Sequence, residues 1–317
     1  MIALVFSASI LFAAEPILAA ETIQVGDAAS TGASSSFLAW WPLPVAVLIL
    51  YVAMSRSWLD LRRLPRFPWT FRPGTGLSFF IFALVAGAVG STIGLWLSGP
   101  PPKEIATADS ASMGLRVTTI VLVTTLLFQG IVLFLMPGWR QGPAPGQSDR
   151  RPSTASSIGM GVIAFACIMP IVIAVNMICS WLAAGVTGEE VPEIGHQTLQ
   201  MLSLGRDTSW FWPTTLLVVL GVPLVEELLY RGLLQESLRR HRLLMGGSPW
   251  GSIIGASVLF TAMHIESTSV EGLPGLFVLS MGFGWAFART GRLASAVTMH
   301  ILFNGFNIMM MLQIVES

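Results

Sequence analysis

The sequence predicts an all-α membrane protein, a polytopic helical bundle of about eight spanning helices preceded by a signal-like segment. Three observations carry this. Of 317 residues, 53% are hydrophobic and only 11% are charged, against roughly 25% charged in soluble domains. The mean hydropathy is +0.72, which excludes a soluble globular domain and a disordered chain. Charge-poor windows close to the ~20 residues that cross a bilayer recur along the chain. Lys+Arg and Asp+Glu are 17 each, so no basic excess points to nucleic acid.

Taken in order, residues Met1 to Ala20 form an apolar run ending in Ala19 and Ala20. It resembles a signal peptide but lacks a basic start; retained, it would add a ninth helix. Residues 1–36 are therefore expected to be this segment and an extracytoplasmic tail. Apolar windows then run Phe37–Met54, Leu77–Leu97 and Val117–Met136, giving a three-span region over 37–136. Pro137 to Ser157, rich in Pro, Gly, Ser and Gln, reads as a linker. Beyond it, 158–315 forms a second membrane region. Its windows are Ile158–Ala184, Phe211 through Val225 with an amphipathic continuation to Leu238, Trp250–His264, Leu273–Ala288 and Leu293–Val315. The Trp250 and Leu273 windows are short, which suits tilted, broken or enclosed helices. Gly90 and Gly94 make a small-xxx-small pattern suited to helix packing. The acidic stretch from Gly185 to Trp210 reads as a solvated connection. Cys167 and Cys179 share one apolar stretch; about 18 Å apart on a helix, they are core residues rather than a disulfide.

Loop charges orient these spans. Arg56, Arg62, Arg63, Arg66, Arg72, Arg140, Arg150, Arg151, Arg239, Arg240, Arg242, Arg289 and Arg292 all fall on one side if eight spans alternate. Lys103, Arg116 and Arg206 fall on the other, with most acidic loop residues. The Arg-rich side is expected to be cytoplasmic, with both termini outside. The signal-like start and the dense Arg loops suit a bacterial inner membrane.

Ionisable groups within apolar helices cost about 2.5–3.5 kcal/mol each on insertion scales, and here they gather in the C-terminal region. Glu226, Glu227 and Arg231 occupy one helix, His264 ends the next, and His300 and Asn304 share the last. Glu227 and Arg231 are i and i+4, so they can pair on one face. Glu226 lies roughly 100° around the helix and needs another partner, such as a histidine from a neighbouring helix. His300 and Asn304 are also i and i+4. A carboxylate and an imidazole can activate water, and a histidine and an amide can donate to an oxyanion. The same groups could instead form a proton or cation path, as in transporters, or hold a non-catalytic immunity or scaffold protein together. Residue chemistry alone leaves hydrolase and ion pathway open.

The strings Glu226-Glu227-x-x-x-Arg231, Phe260-x-x-x-His264 and His300-x-x-x-Asn304 resemble the three motifs of the CAAX protease and bacteriocin-processing (CPBP, or Abi) family, the type II CAAX prenyl endopeptidases. The resemblance covers roughly 158–315. It implies an intramembrane peptidase acting on a peptide or membrane-protein substrate, prenylated or not, within the lipid bilayer. By motif position, Glu226 would be the catalytic carboxylate and His264 its partner in activating water. His300 and Asn304 would stabilise the oxyanion, Glu227 and Arg231 would brace the helix, and Phe260 would pack beside the site. The family is commonly described as metalloproteases. Glu226, His264 and His300 could supply three zinc ligands with water in the fourth position, and a metal-free mechanism uses the same residues. No His-Glu-x-x-His string favours zinc.

Overall fold

The structure, a computed structural model, describes residues 40–61, 71–103, 105, 107–136, 152–187, 197–244 and 248–316. The signal-like segment, most of the linker and residues 188–196 of the acidic connection lie outside these residues. The helices are α1 (Pro42–Ser55), α2 (Pro73–Ser98), α3 (Ala108–Leu135), α4 (Thr154–Thr187) and α5 (Gln197–Leu204). A continuous helical stretch over 211–244 follows. It comprises α6 (Phe211–Leu216), a π segment (Leu217–Gly221), α7 (Val222–Glu227), a second π segment (Leu228–Gln235) and α8 (Glu236–Leu244). The chain ends with α9 (Trp250–Ala262), α10 (Leu273–Thr290) and α11 (Leu293–Glu316).

Among the described residues, five helices are long and apolar enough to cross a membrane: Pro73–Ser98, Ala108–Leu135, Thr154–Val186, Val270–Thr290 and Leu293–Gln313. The expected eight are not reproduced as such. Pro42–Ser55 and Trp250–Ala262 are shorter apolar helices, and the 211–244 stretch is charged and interrupted by π turns. At 1.5 Å per residue, α9 reaches only about 20 Å, short of the ~30 Å hydrocarbon core of a bilayer.

Local signals explain the boundaries. Proline opens α1, α2 and α10 within their first two positions, where its missing N–H costs nothing. Thr107 and Ser110 form a reciprocal capping box at the start of α3. Ser153 Oγ accepts from the Ser156 N–H, so α4 begins at Thr154 and the serine-rich end of the expected linker is a helix cap. Gly291, at φ 62°, takes the left-handed turn that ends α10 and starts α11 two residues later. The expected solvated connection also needs correction: residues 197–204 are helical, and Leu202 is fully buried against Leu115, Phe211, Ile308 and Met311.

The two expected regions share a core. Phe71, Phe80, Ala83, Leu133 and Met136 pack with Leu229, Tyr230, Leu233, Leu234, Ala256 and Phe260. Within the first region, α2 lies against α3 along Gly87, Gly90 and Gly94, all buried. A Cβ on Gly90 would stand 2.6 Å from the Thr124 carbonyl oxygen, so only glycine allows this approach. The turn after α1 is tied down as well. Trp250 Nε1 donates to the Leu59 carbonyl, Trp285 Nε1 to that of Trp58, and Arg289 to that of Asp60.

Candidate active site

The site is built where α7 passes into the second π segment and meets α9, α10 and α11. Val222 donates its N–H to Leu217, five residues back. The π register would next offer the Val218 carbonyl to residue 223, which is Pro223 and has no N–H. Asn304 Nδ2 fills that place, donating to Val218 O at 2.8 Å. The π turn, the proline and the asparagine are thus one device that pins α11 to the 211–244 stretch. Interrupted helices persist in membranes when another group satisfies the freed backbone in this way.

Glu227 and Arg231 have no exposed side-chain surface and form an ion pair, Nε to Oε2, at 3.1 Å. The contact is off the line of an aligned hydrogen bond, and neither atom has another hydrogen-bond partner. The other Glu227 oxygen takes a 2.9 Å hydrogen bond from His300 Nδ1. A carboxylate only accepts, so His300 donates through Nδ1, and Nε2 is left on the far side of the ring. His300 Nε2 lies 3.9 Å from Glu226 Oε2, an oxygen that is buried and without a hydrogen-bond partner. Glu226 therefore presents an uncommitted carboxylate oxygen beside an imidazole whose far nitrogen is held.

His264 stands where α9 unwinds. Its N–H bonds to Thr261 O, and its carbonyl accepts from the N–H groups of Ser267 and Thr268, so the helix closes into turns at this residue. Its Nδ1 donates to Phe260 O at 2.8 Å, which leaves Nε2 as an acceptor. Phe260, fully buried, packs against the His264 ring at 4.5 Å between centroids and meets the His300 ring edge-on at 6.1 Å.

The structure thus brings Glu226, Glu227, Arg231, Phe260 and His300 into one cluster, with His264 on Phe260 and Asn304 one turn beyond His300. Two placements differ from the expected roles. The imidazole beside Glu226 is that of His300, and one Asn304 N–H is committed to the Val218 carbonyl. Glu227 is more than a partner for Arg231, because it also holds His300. Sequence reasoning missed Ser280 and Phe283 of α10. Arg231 Nη2 donates to Ser280 Oγ at 3.1 Å and to its carbonyl at 3.3 Å, and Phe283 stacks on His300. Neither residue stands out in an apolar helix.

Among the described residues, no group of three His, Cys, Asp or Glu side chains is placed to hold a metal ion. The expected Glu226, His264 and His300 donors do not form a ready three-ligand set. A separate cavity of about 310 Å³, lined by Asp109, Ser112, Met113, Arg116 and Trp210, holds none of the motif residues.

Residues 208–306, roughly a third of the chain, match the family model for type II CAAX prenyl endopeptidase Rce1-like proteins, so the chain carries an Rce1-like domain. The match contains all three motif strings and is narrower than the expected 158–315, leaving α4 outside. No curated protein and no solved structure matches the chain.

Proposed function

We propose that this integral membrane protein is an intramembrane endopeptidase that hydrolyses a peptide bond in a peptide or membrane-associated protein, prenylated or not. The supporting observation is the unpartnered Glu226 Oε2, 3.9 Å from a His300 ring fixed from behind by Glu227. That separation is too long for a direct hydrogen bond and suits a bridging water. Glu226 takes a proton from the attacking water, with His264 Nε2 as the second acceptor that shares it. The hydroxide adds to the carbonyl carbon. The oxyanion is met by Nε2–H of a protonated His300 and by the remaining Asn304 N–H. As the intermediate collapses, the proton passes to the leaving nitrogen and the C–N bond breaks, giving a carboxylate and an amine.

Placement in a bacterial inner membrane with the Arg-rich side in the cytoplasm is part of this proposal. Exposed Trp40, Trp41, Trp96, Trp181 and Trp212 fall near helix ends that alternating spans put opposite the arginines, as an interfacial belt would. The test offers purified protein in detergent a fluorogenic peptide panel that includes a farnesylated CAAX peptide. Cleavage by wild type and none by Glu226→Gln is the expected result. Equal cleavage by both proteins would overturn the proposal.

A further inference from the structure

The chain of contacts behind Glu226 does not end at Glu227. Arg231 is fully buried, and its guanidinium lies between two rings, 5.0 Å from the Phe260 centroid and 5.4 Å from that of Phe283. Its Nη2 reaches the Ser280 hydroxyl and carbonyl. Phe283 lies one turn further along α10, and its ring stacks on the His300 imidazole, with centroids 4.9 Å apart and planes at 23°. Ser280 and Phe283 are both fully buried. They are i and i+3, so a single face of α10 touches both ends of the Arg231–Glu227–His300 relay.

The register of that face is fixed. Gln235 Nε2 donates to the Gly284 carbonyl at 2.9 Å, repeating one turn later the reach of Arg231 to Ser280. Gly284 permits this approach, since a Cβ there would meet Gln235 Oε1 at 2.7 Å and Ile253 at 2.9 Å. A helix locked at two successive turns supports a ring and a hydroxyl at set positions.

We propose that Ser280 and Phe283 are positioning residues for the reaction. Ser280 fixes the guanidinium that orients Glu227. Phe283 fixes the plane of the His300 ring, so that Nε2 faces Glu226. Neither touches the reacting atoms. The activity part of this inference rests on the endopeptidase reading; the orientation part does not.

The test uses the full chain in detergent, labelled with ¹⁵N-histidine, with only four histidines to assign. Ser280→Ala and Phe283→Leu should shift or broaden the His300 Nδ1 proton resonance. They should also lower kcat by roughly ten- to a hundredfold with KM within about twofold, in protein that keeps its cooperative unfolding. Ser280→Thr, which retains the hydroxyl, should restore the resonance and kcat. A purely structural role predicts the reverse order, because threonine overfills the site more than alanine empties it. An unchanged resonance in folded Ser280→Ala and Phe283→Leu would overturn the proposal, as would failure of both to fold. If wild type cleaves no peptide, the endopeptidase reading falls while the resonance still decides the positioning claim.

Discussion

Replacing Arg231 with methionine tests the electrostatics beneath the site. Methionine keeps much of the length and the apolar packing between Phe260 and Phe283. The Ser280 carbonyl stays within its helix, so losing the guanidinium removes little backbone bonding. What changes is charge: Glu227, with no exposed surface, loses its 3.1 Å partner and retains only the hydrogen bond from His300. Removing one member of a buried pair costs about 3–5 kcal/mol, whereas an exposed pair is worth up to about 1 kcal/mol. Arg231→Met should therefore lower stability by about 3–5 kcal/mol in equilibrium unfolding with a denaturing detergent, followed by tryptophan fluorescence. Adding Glu227→Gln removes the stranded charge and should return roughly 2–3 kcal/mol, a coupling typical of contacting pairs. A loss below about 1 kcal/mol, or no recovery in the double variant, would refute the claim that the Arg231 guanidinium compensates a buried Glu227 charge.

Four further outcomes follow from particular positions. Gly90→Ala should destabilise by roughly 1–3 kcal/mol, because its Cβ meets the backbone of Thr124 and Thr125. Gly130→Ala, with open space at its Cβ, should be neutral or mildly stabilising in the same assay. Asn304→Ala leaves the Val218 carbonyl unpaired and should cost about 1–3 kcal/mol; Asn304→Asp should not restore the loss, since a carboxylate cannot donate. In a background lacking Cys167 and Cys179, the only cysteines, Ala262→Cys and Thr298→Cys should react with a membrane-impermeant thiol reagent from the Arg-rich side. His300 lies about two helical turns from Arg292, roughly 12 Å along the helix, so labelling from the opposite side alone would contradict a site that opens toward the Arg-rich side.

Much of the cluster was legible because charge in an apolar helix is rare. Glu226, Glu227, Arg231, His264 and His300 stand out for that reason, and the i, i+4 spacing identified the Glu227–Arg231 contact. The connections between helices were less legible. A plain 100° step per residue gave a neighbouring histidine to Glu226 alone, yet Glu227 takes the hydrogen bond from His300. The π segments on both sides of α7 change the phase that such counting assumes. Nothing local showed that Asn304 would answer the Val218 carbonyl. Ser280 and Phe283 gave no signal, because their importance lies in what crosses to them from another helix. Window counting met a similar limit, since α9 stops at Ala262 and the chain passes into turns at His264.

The most direct measurement compares kcat of wild type and Glu226→Gln on one cleavable peptide, at matched folded protein and unfolding midpoint. The amide keeps the size of the side chain and removes the basic oxygen, and Glu226 has no ion pair with Arg231 to lose. Glu226→Gln should lower kcat at least about a thousandfold, in the range of losing an essential acid–base group, with little change in stability. Activity within tenfold of wild type in the folded variant would contradict the role of Glu226 as the group that activates water.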